Sequence, residues 1–521
     1  MNNDHKVGFI NLIFAGVTGI IGSGWLFAPY IAAKMAGPFS IISWLIGFTF
    51  AAILAFCYAE IGAMMPARGL MVHIARVSNS FLVGDVWAVF IFMSYSAMPA
   101  IETLAFVTYL DQLTGRQLVL SDGSLTVIGY FIAALTIILF LIIAINKVGF
   151  VLSINTLLSI GKVIVPFGFA ITLICTHFNP NNFMNVTGIY PVTGISTSLT
   201  SAGIIFSCLG FRQILEMSGE SKSSNQVAFA ILFSTIISGM IYLILQTSII
   251  AFFSSADLVN NFPGINLAHG QSAPIFAISI SVGLLWLTII ISIEALLSPA
   301  STAFLSLTTA SRVYYAITSN SKNIFLRKLL ILNKAGAPVV SLILVSFISF
   351  IFLLPFPSWF TMVKYLTGAS AISYSIGPLV LLQLRKVIPD YDRPFKLAYA
   401  SFIAPIGFCM GTLIICFSGL HIQLFIASVV IFSLFVNYLI NLIKNERKFV
   451  FHGLSFSWIY FYFPSIIILT FFGPKIFGGV GLYNEFVLIL LSIIVSFITL
   501  FLALQASNNK IRVLDYIHKI I

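Results

Sequence analysis

Long apolar stretches follow one another along most of this chain, separated by short polar breaks. A helix that crosses a membrane needs about 20 largely apolar residues, because the hydrocarbon layer is about 30 Å thick and each residue rises about 1.5 Å. That template predicts fourteen spans, near residues 7–33, 38–65, 84–112, 125–145, 150–176, 197–217, 225–253, 275–314, 337–356, 359–384, 401–418, 420–443, 457–473 and 485–505. The eighth is long enough to run past the membrane. The expected fold class is an all-α integral membrane protein.

Composition agrees. The 521 residues are 59% hydrophobic and 8% charged, with 51 Phe, whereas a soluble domain carries about 25% charged residues. So few charges cannot cover a soluble surface of this size, which excludes a disordered chain, a disulfide scaffold and a cytosolic enzyme. The net charge of +11 is no nucleic-acid signal once the basic residues are located. With the N-terminus inside, 20 Lys and Arg fall on the cytoplasmic side, only Lys34, Arg116 and Lys475 fall outside, and Lys162, Arg212 and Lys364 lie within spans. This bias predicts a multi-pass protein of the plasma (inner) membrane with both termini cytoplasmic. The opening MNNDHKV leads into an apolar stretch too long for a signal peptide. The five cysteines sit in apolar stretches without paired spacing, and the seven histidines are scattered, so neither a metal nor another cofactor is expected.

The loops leave no room for a nucleotide-hydrolysing domain, and no Walker motif occurs, so any transport is expected to run on a gradient. Two spans are expected to be interrupted. The first reads Gly16-Val-Thr-Gly19-Ile-Ile-Gly22-Ser23-Gly24-Trp25, with four glycines in nine positions, each costing a helix about 1 kcal/mol against Ala. Unwound backbone in a membrane persists only where it lines a cavity or is buried in protein. A break there would present amide N–H groups and a positive dipole end, suited to a carboxylate. The alternative is a close-packing face of small residues. The sixth span, Ser201-Ala-Gly203-Ile-Ile-Phe206-Ser207-Cys208-Leu209-Gly210-Phe211-Arg212-Gln213, gathers small and polar residues in the same way. Interruptions at matching places in two halves point to a transporter site between inverted repeats.

Gly19-Ile-Ile-Gly22-Ser23-Gly24 with Pro29, Ala36-Gly37-Pro38, Tyr58-Ala59-Glu60-Ile61-Gly62 with Pro66 and Gly69, Gly210-Phe211 with Glu220, and Ala310-Ser311-Arg312-Val313-Tyr314-Tyr315 together resemble the amino acid–polyamine–organocation (APC) permeases over roughly residues 7–443. Arg68-Gly69 departs from that pattern, where many relatives have a Gly-Gly pair. The resemblance implies a LeuT-like fold with spans 1–5 and 6–10 as inverted repeats, in a core of about twelve helices over residues 1–443. Residues 444–521 would add two further spans and a short cytoplasmic tail. It also implies that Gly22, Ser23 and Gly24 hold a substrate carboxylate by their amides, and that carbonyls around Phe206, Ser207, Cys208 and Leu209, beside Gly210, take the ammonium. Trp25, Phe206 and Phe211 are candidate gates.

Charges inside spans are costly and therefore informative. Lys162 lies about twelve residues from either end of span five, so about 18 Å of helix separates it from each surface. An isolated charge there costs at least about 2.5–3.5 kcal/mol, so it must face protein or water. A lysine at the matching place in some APC permeases stands where sodium-coupled relatives bind a cation, which implies that Lys162 is the proton-coupling amine; the alternative is a lysine tied permanently to carbonyls. Arg212 is expected either to snorkel towards the cytoplasm or pair with Glu216 at i+4, or to fork onto a substrate side-chain carboxylate. Glu102 and Glu294 are the other deep carboxylates, candidates for partners of Arg212 or Lys162 or for a proton relay. Glu60 and Glu220 are assigned to gating or packing near the inner surface, and Lys364 to snorkelling at the outer end of span ten.

These features predict a proton-coupled secondary amino acid transporter working by alternating access around broken helices one and six, possible substrates being aspartate and glutamate. Its partners would be an amino acid, a proton and the lipid bilayer, with no nucleic acid and no catalytic residues. A neutral amino acid permease or exchanger of the same fold is the alternative, and a transport-dead amino acid receptor is the alternative from another class. Oligomeric state and the role of the last two spans are not legible.

Overall fold

Apolar runs bounded by polar caps and glycines become helices throughout the computed structural model, which describes residues 6–115, 117–120, 123–184, 193–254, 273–318, 327–356, 358–443 and 458–521, with backbone alone at 81, 82, 433 and 436–443. Among the described residues the regular structure is helical, apart from two isolated β-bridges. The helices are α1 (Phe9–Ile20), α2 (Gly24–Ala36), α3 (Ser40–Met64), α4 (Leu70–Val77), α5 (Phe81–Thr114), α6 (Val127–Ala144), α7 (Val148–His177), α8 (Asn181–Met184), α9 (Thr193–Ser201), α10 (Ile204–Cys208) and α11 (Arg212–Glu216). They continue as α12 (Ser224–Phe252), α13 (Pro274–Ser281), α14 (Leu285–Thr318), α15 (Val339–Phe352), α16 (Trp359–Val387), α17 (Ala400–Phe417), α18 (Leu420–Ile443), α19 (Ile459–Phe472), α20 (Glu485–Gln505) and α21 (Lys510–Ile520).

Nine helical segments among the described residues are long and apolar enough to cross a membrane, and four shorter apolar helices, α1, α15, the first half of α18, and α19, stand where further spans are expected. Residues 197–217 are interrupted, as expected, and fall into the pieces α9, α10 and α11, separated at Ala202–Gly203 and at Leu209–Phe211. Gly203 adopts φ +83°, a left-handed conformation that glycine takes without strain, and this ends α9. One expectation needs correction: the eighth span is two helices, because Gly283 at φ +75° turns the chain between α13 and α14. The basic positions Arg116, Lys322 and Lys444 lie outside the described residues.

Packing follows the pattern that inverted repeats require. The first and sixth spans meet through α1 with α11 and α2 with α10. The second packs on the seventh (α3 with α12), the third on the eighth (α5 with α14), and the fourth on the ninth (α6 with α15). Helices α5 and α16 are buried along most of their length, whereas α6, α7 and α20 keep an apolar face exposed, as lipid contact demands. Proline occurs inside α2, α5, α7, α14 and α16, which neighbouring helices and side chains can accommodate in a membrane. The result is an all-helical fold in which the two interrupted spans pack against each other.

Candidate functional site

The two interruptions touch backbone to backbone. α1 stops at Ile20 and α2 starts at Gly24, while α10 stops at Cys208 and α11 starts at Arg212. A Cβ on Gly210 would overlap the Gly19 carbonyl and the Ile20 amide, and one on Gly19 would overlap the Gly210 carbonyl. Glycine is therefore required at both positions by close approach. The end of α10 leaves the carbonyls of its last turn without a following helical turn to accept from, beside the free start of α2.

The start of α2 already holds a carboxylate. The Ser23 amide donates to Glu102 Oε2 on α5 at 2.9 Å, and the other carboxylate oxygen of Glu102 is buried without a hydrogen-bond partner. A Cβ on Gly22 would sit 2.6 Å from Glu102 Oε1 and 3.2 Å from Thr302 Cγ2, so Gly22 is the floor under this carboxylate. On the other side of the break, a Cβ on Gly24 would overlap Ser207 Oγ and approach the Tyr242 hydroxyl at 3.1 Å. The Tyr242 hydroxyl donates to the Ile20 carbonyl at 3.2 Å. Trp359, at the start of α16, donates its indole N–H to Ser23 Oγ at 2.8 Å, stacks on Phe27 at 4.5 Å and meets Phe206 edge-on at 6.1 Å. An aromatic layer thus covers the break on one side.

Lys162 is fully buried on α7. Its ammonium donates to Thr302 Oγ1 at 2.5 Å, and the Thr302 hydroxyl lies 3.1 Å from the Thr18 carbonyl in the last turn of α1. A short hydrogen bond joins the Thr18 and Ser159 hydroxyls. The amine is thereby tied to the interrupted first span through one threonine. On its other side, a Cβ on the adjacent Gly161 would lie 2.5 Å from Glu294 Oε2, and Glu294 Oε1 is buried without a partner. Neither Glu102 nor Glu294 forms an ion pair with Lys162. Two carboxyl groups and an amine therefore share one buried neighbourhood, each with unused hydrogen-bonding capacity.

Arg212, the first residue of α11, is 1% exposed. Its guanidinium donates to Ser94 Oγ at 2.6 Å and to the Ser94 carbonyl at 3.3 Å. It lies over the Tyr95 ring at 4.1 Å and the Tyr374 ring at 5.5 Å. The expected pairing with Glu216 is absent, because Glu216 instead accepts from the Tyr95 hydroxyl at 2.5 Å. The tyrosine takes the carboxylate, and the guanidinium turns to the α5 backbone and the π faces. Among the described residues Arg212 has no acidic partner.

Glu60 and Glu220 lie towards the Lys/Arg-rich face and are saturated. Glu60 accepts from Arg385 at 3.0 and 2.5 Å and from the Leu397 amide at 2.7 Å, and pairs with Arg393 at 3.1 Å. Glu220 pairs with Arg68 at 2.9 Å and takes two bonds from Arg312, at 3.2 and 3.1 Å. Lys364 is exposed, as expected of a snorkelling side chain.

Gly22, Ser23, Gly24, Gly210, Lys162, Glu102 and Glu294 thus gather around the two interruptions, with Phe206, Ser207, Cys208 and Leu209 on the facing segment. Arg212 directly follows the second interruption and turns towards Ser94. Of the candidate gates, Trp25 is fully buried with its indole N–H on Ser298 Oγ at 3.2 Å, a fixed packing position, and Phe211 lies among Tyr58 and Tyr374. Thr302, Tyr242, Trp359, Ser94, Tyr95 and Tyr374 are not singled out by the sequence. Thr302 had one available signal, since Ser298, Ser301 and Thr302 follow Glu294 on one helix around Pro299. Trp359 had none among so many aromatics.

A multi-pass helical membrane protein with two interrupted helices meeting at a buried polar centre has the construction of a secondary transporter. Residues 7–420 match the family described as amino acid permease, and the chain belongs to that family. It is similar to the glutamate/serine transporter AimA of Bacillus subtilis (strain 168), with 27% identity over 93% of this chain and 90% of that protein. It is similar also to the aspartate-proton symporter of the same organism, with 31% identity over 80% of each chain. A shorter stretch, 20% of this chain, is 33% identical to 16% of the mouse cationic amino acid transporter 4.

Proposed function

We propose that this permease is a proton-coupled symporter that accepts amino acids with acidic side chains, and that its two ends face the cytoplasm. The observation that carries this reading is the Glu102 carboxylate seated on the Ser23 amide, beside a buried lysine that lacks an ion pair. The amide at the start of α2 favours a carboxylate through its free N–H and the helix dipole. An incoming substrate carboxylate would compete there with Glu102, and a displaced Glu102 is best accommodated with a proton. Lys162 and Glu294 are then the neighbouring groups through which that proton enters or leaves, linked by Thr302 and Gly161. The substrate ammonium would lie against the carbonyls of Phe206 to Leu209.

Arg212 supports the acidic preference. A guanidinium that is buried, held by a hydroxyl and two rings, and without an acidic partner offers a bidentate site for a second carboxylate. Two relatives whose names include aspartate and glutamate support the same reading. The 20-to-3 distribution of Lys and Arg supports cytoplasmic termini in the plasma (inner) membrane. We assign residues 1–443 to the transporter core and 444–521 to two added spans and a tail.

Labelled aspartate, glutamate and serine offered to proteoliposomes, with and without an inward proton gradient and in the absence of sodium, test this reading. Acidic amino acids should accumulate only with the gradient. Arg212→Gln should weaken them about ten- to hundred-fold, the value of one charge-assisted bidentate contact, while sparing any neutral substrate. If neutral amino acids outcompete acidic ones in the native protein, the acidic preference fails. Accumulation driven by sodium and indifferent to pH defeats proton coupling.

A further inference from the structure

A cavity of about 270 Å³ opens outside the polar centre at the interrupted helices, sharing none of that centre's residues. It lies on the Lys/Arg-rich face, where α6 ends, α7 begins and the loop before α15 returns to the membrane. Its polar wall contains Arg68, Arg312, Lys334 and Glu220, three cations to one anion. Glu220 is already engaged by both arginines. Arg312 spends its remaining bonding on the Thr308 carbonyl at 2.9 Å. Arg68 reaches Glu220 through Nε, and among the described residues its two terminal nitrogens make no hydrogen bond and the exposed Lys334 has no ion pair. The cavity therefore holds surplus positive charge with free donors.

Apolar side chains also line the cavity, among them Leu332, Ala337, Pro338 and Leu342. Leu332 is 39% exposed, beside Ile331 at 59%, and Val340 beyond Pro338 is 38% exposed. Cationic groups next to exposed apolar side chains match a ligand with an anionic head and hydrocarbon attached to it. The volume lies just under the range of about 300–1,000 Å³ usual for drug-sized ligands, enough for a headgroup.

We propose that this cavity binds a phosphate-bearing anion, presented by a phospholipid of the adjacent leaflet or free in solution. Arg68 and Lys334 supply the contacts, and Glu220 with Arg312 fixes the Arg68 guanidinium in place. The site is separate from the substrate site, and it stands whether or not the proposed acidic preference holds. Occupancy would brace Arg68, which joins the α3–α4 connection to Glu220 at the end of the interrupted sixth span.

The test is binding to the full-length purified protein, with native mass spectrometry for phosphatidylglycerol against phosphatidylcholine and calorimetry for inorganic phosphate. Phosphatidylglycerol should be retained in preference to phosphatidylcholine. Lys334→Gln should weaken it about fivefold and the double change Arg68→Gln, Lys334→Gln about 30-fold, from about 1 kcal/mol per basic residue. Lys334→Gln breaks no ion pair among the described residues, so it reads the site even if Arg68→Gln loosens Glu220. Binding of phosphatidylglycerol alone assigns the ligand to the lipid, and binding of phosphate as well assigns it to the anion itself; either supports the site. Equal retention of the two lipids with no phosphate binding overturns it, as does unchanged affinity in Lys334→Gln and the double variant.

Discussion

Glu60 and Glu102 are both fully buried carboxylates on spans of the first repeat, yet the protein treats them in opposite ways. Glu60 is surrounded by two arginines and a backbone amide. Glu102 receives one amide and keeps a bare oxygen. The same contrast separates Glu220, held by two arginines, from Glu294, which also keeps a bare oxygen. A saturated buried charge resists change, because withdrawing any partner exposes the full desolvation cost. An unsaturated one is out of balance already, and a proton or a ligand can restore it. On the proposed function, the contrast separates groups that hold the fold from groups available for transport.

The largest effects should come from the backbone contact that brings the unsaturated groups together. Gly210→Ala places a Cβ into the backbone of Gly19 and Ile20, which cannot rotate away, so uptake into proteoliposomes should vanish. Gly22→Ala meets chiefly the carboxylate end of Glu102, a flexible side chain. It should leave the protein inserted while lowering substrate affinity. Equal activity of Gly210→Ala and the native protein would remove the contact of the two interruptions from the mechanism.

Next is the amine. Lys162→Ala removes the only cation beside Glu102 and Glu294 among the described residues, and accumulation driven by a proton gradient should be lost, with exchange of substrate for substrate persisting. Continued gradient-driven accumulation in Lys162→Ala vesicles would make the lysine a packing residue tied to Thr302.

Legibility in the sequence divides along the same line. Spans are written in composition, because hydrocarbon thickness constrains every helix separately. The first interruption is written in four glycines. Its counterpart in the sixth span was visible only as a mixture of small residues, and the division into α9, α10 and α11 depends on backbone conformation at Gly203 and on contact with Gly19. Lys162, Glu102 and Glu294 stand out because charge is rare in a span. Their grouping is a matter of which faces of α5, α7 and α14 meet, which no single span encodes. Arg212 shows the limit most clearly. Its i+4 spacing to Glu216 suggests a pair, but Tyr95, from a helix more than a hundred residues earlier, takes the carboxylate.

Among the saturated groups the expected loss is in stability. Glu60→Gln leaves Arg385 and Arg393 facing a neutral amide, and breaking a buried ion pair costs about 3–5 kcal/mol. The yield of folded protein and its thermal midpoint in detergent should both fall. Glu102→Gln, which retains an acceptor for the Ser23 amide and gives up no ion pair, should change the midpoint far less. Equal destabilisation by the two would erase the distinction between the carboxylates.

The smallest effect tests whether a buried group outside the membrane follows the rule for saturated charges. His73 on α4 is 6% exposed, with Nδ1 3.0 Å from the Tyr516 hydroxyl of α21. Val513 and Ile517 of α21 are buried, and Asn508 just before it bonds the carbonyls of Val77 and Asn79 at 3.4 and 2.7 Å. Burial, and secondarily Arg76, push the His73 imidazole down from 6.5 to about 4; Arg76 in turn faces Asp85 at 3.4 Å. The docked state therefore binds the proton less readily than the undocked one. Docking strength is complete above pH 6.5, falls as the pH drops towards 4, and is constant below that. The total loss is at most about 3 kcal/mol. Amide hydrogen exchange over residues 510–521, corrected for the intrinsic pH dependence, should thus show α21 less protected at pH 5 than at pH 7.5. His73→Phe should flatten that dependence, because a ring that cannot take a proton has no state to favour undocking. A dependence that survives His73→Phe would shift the titration to another group on this face.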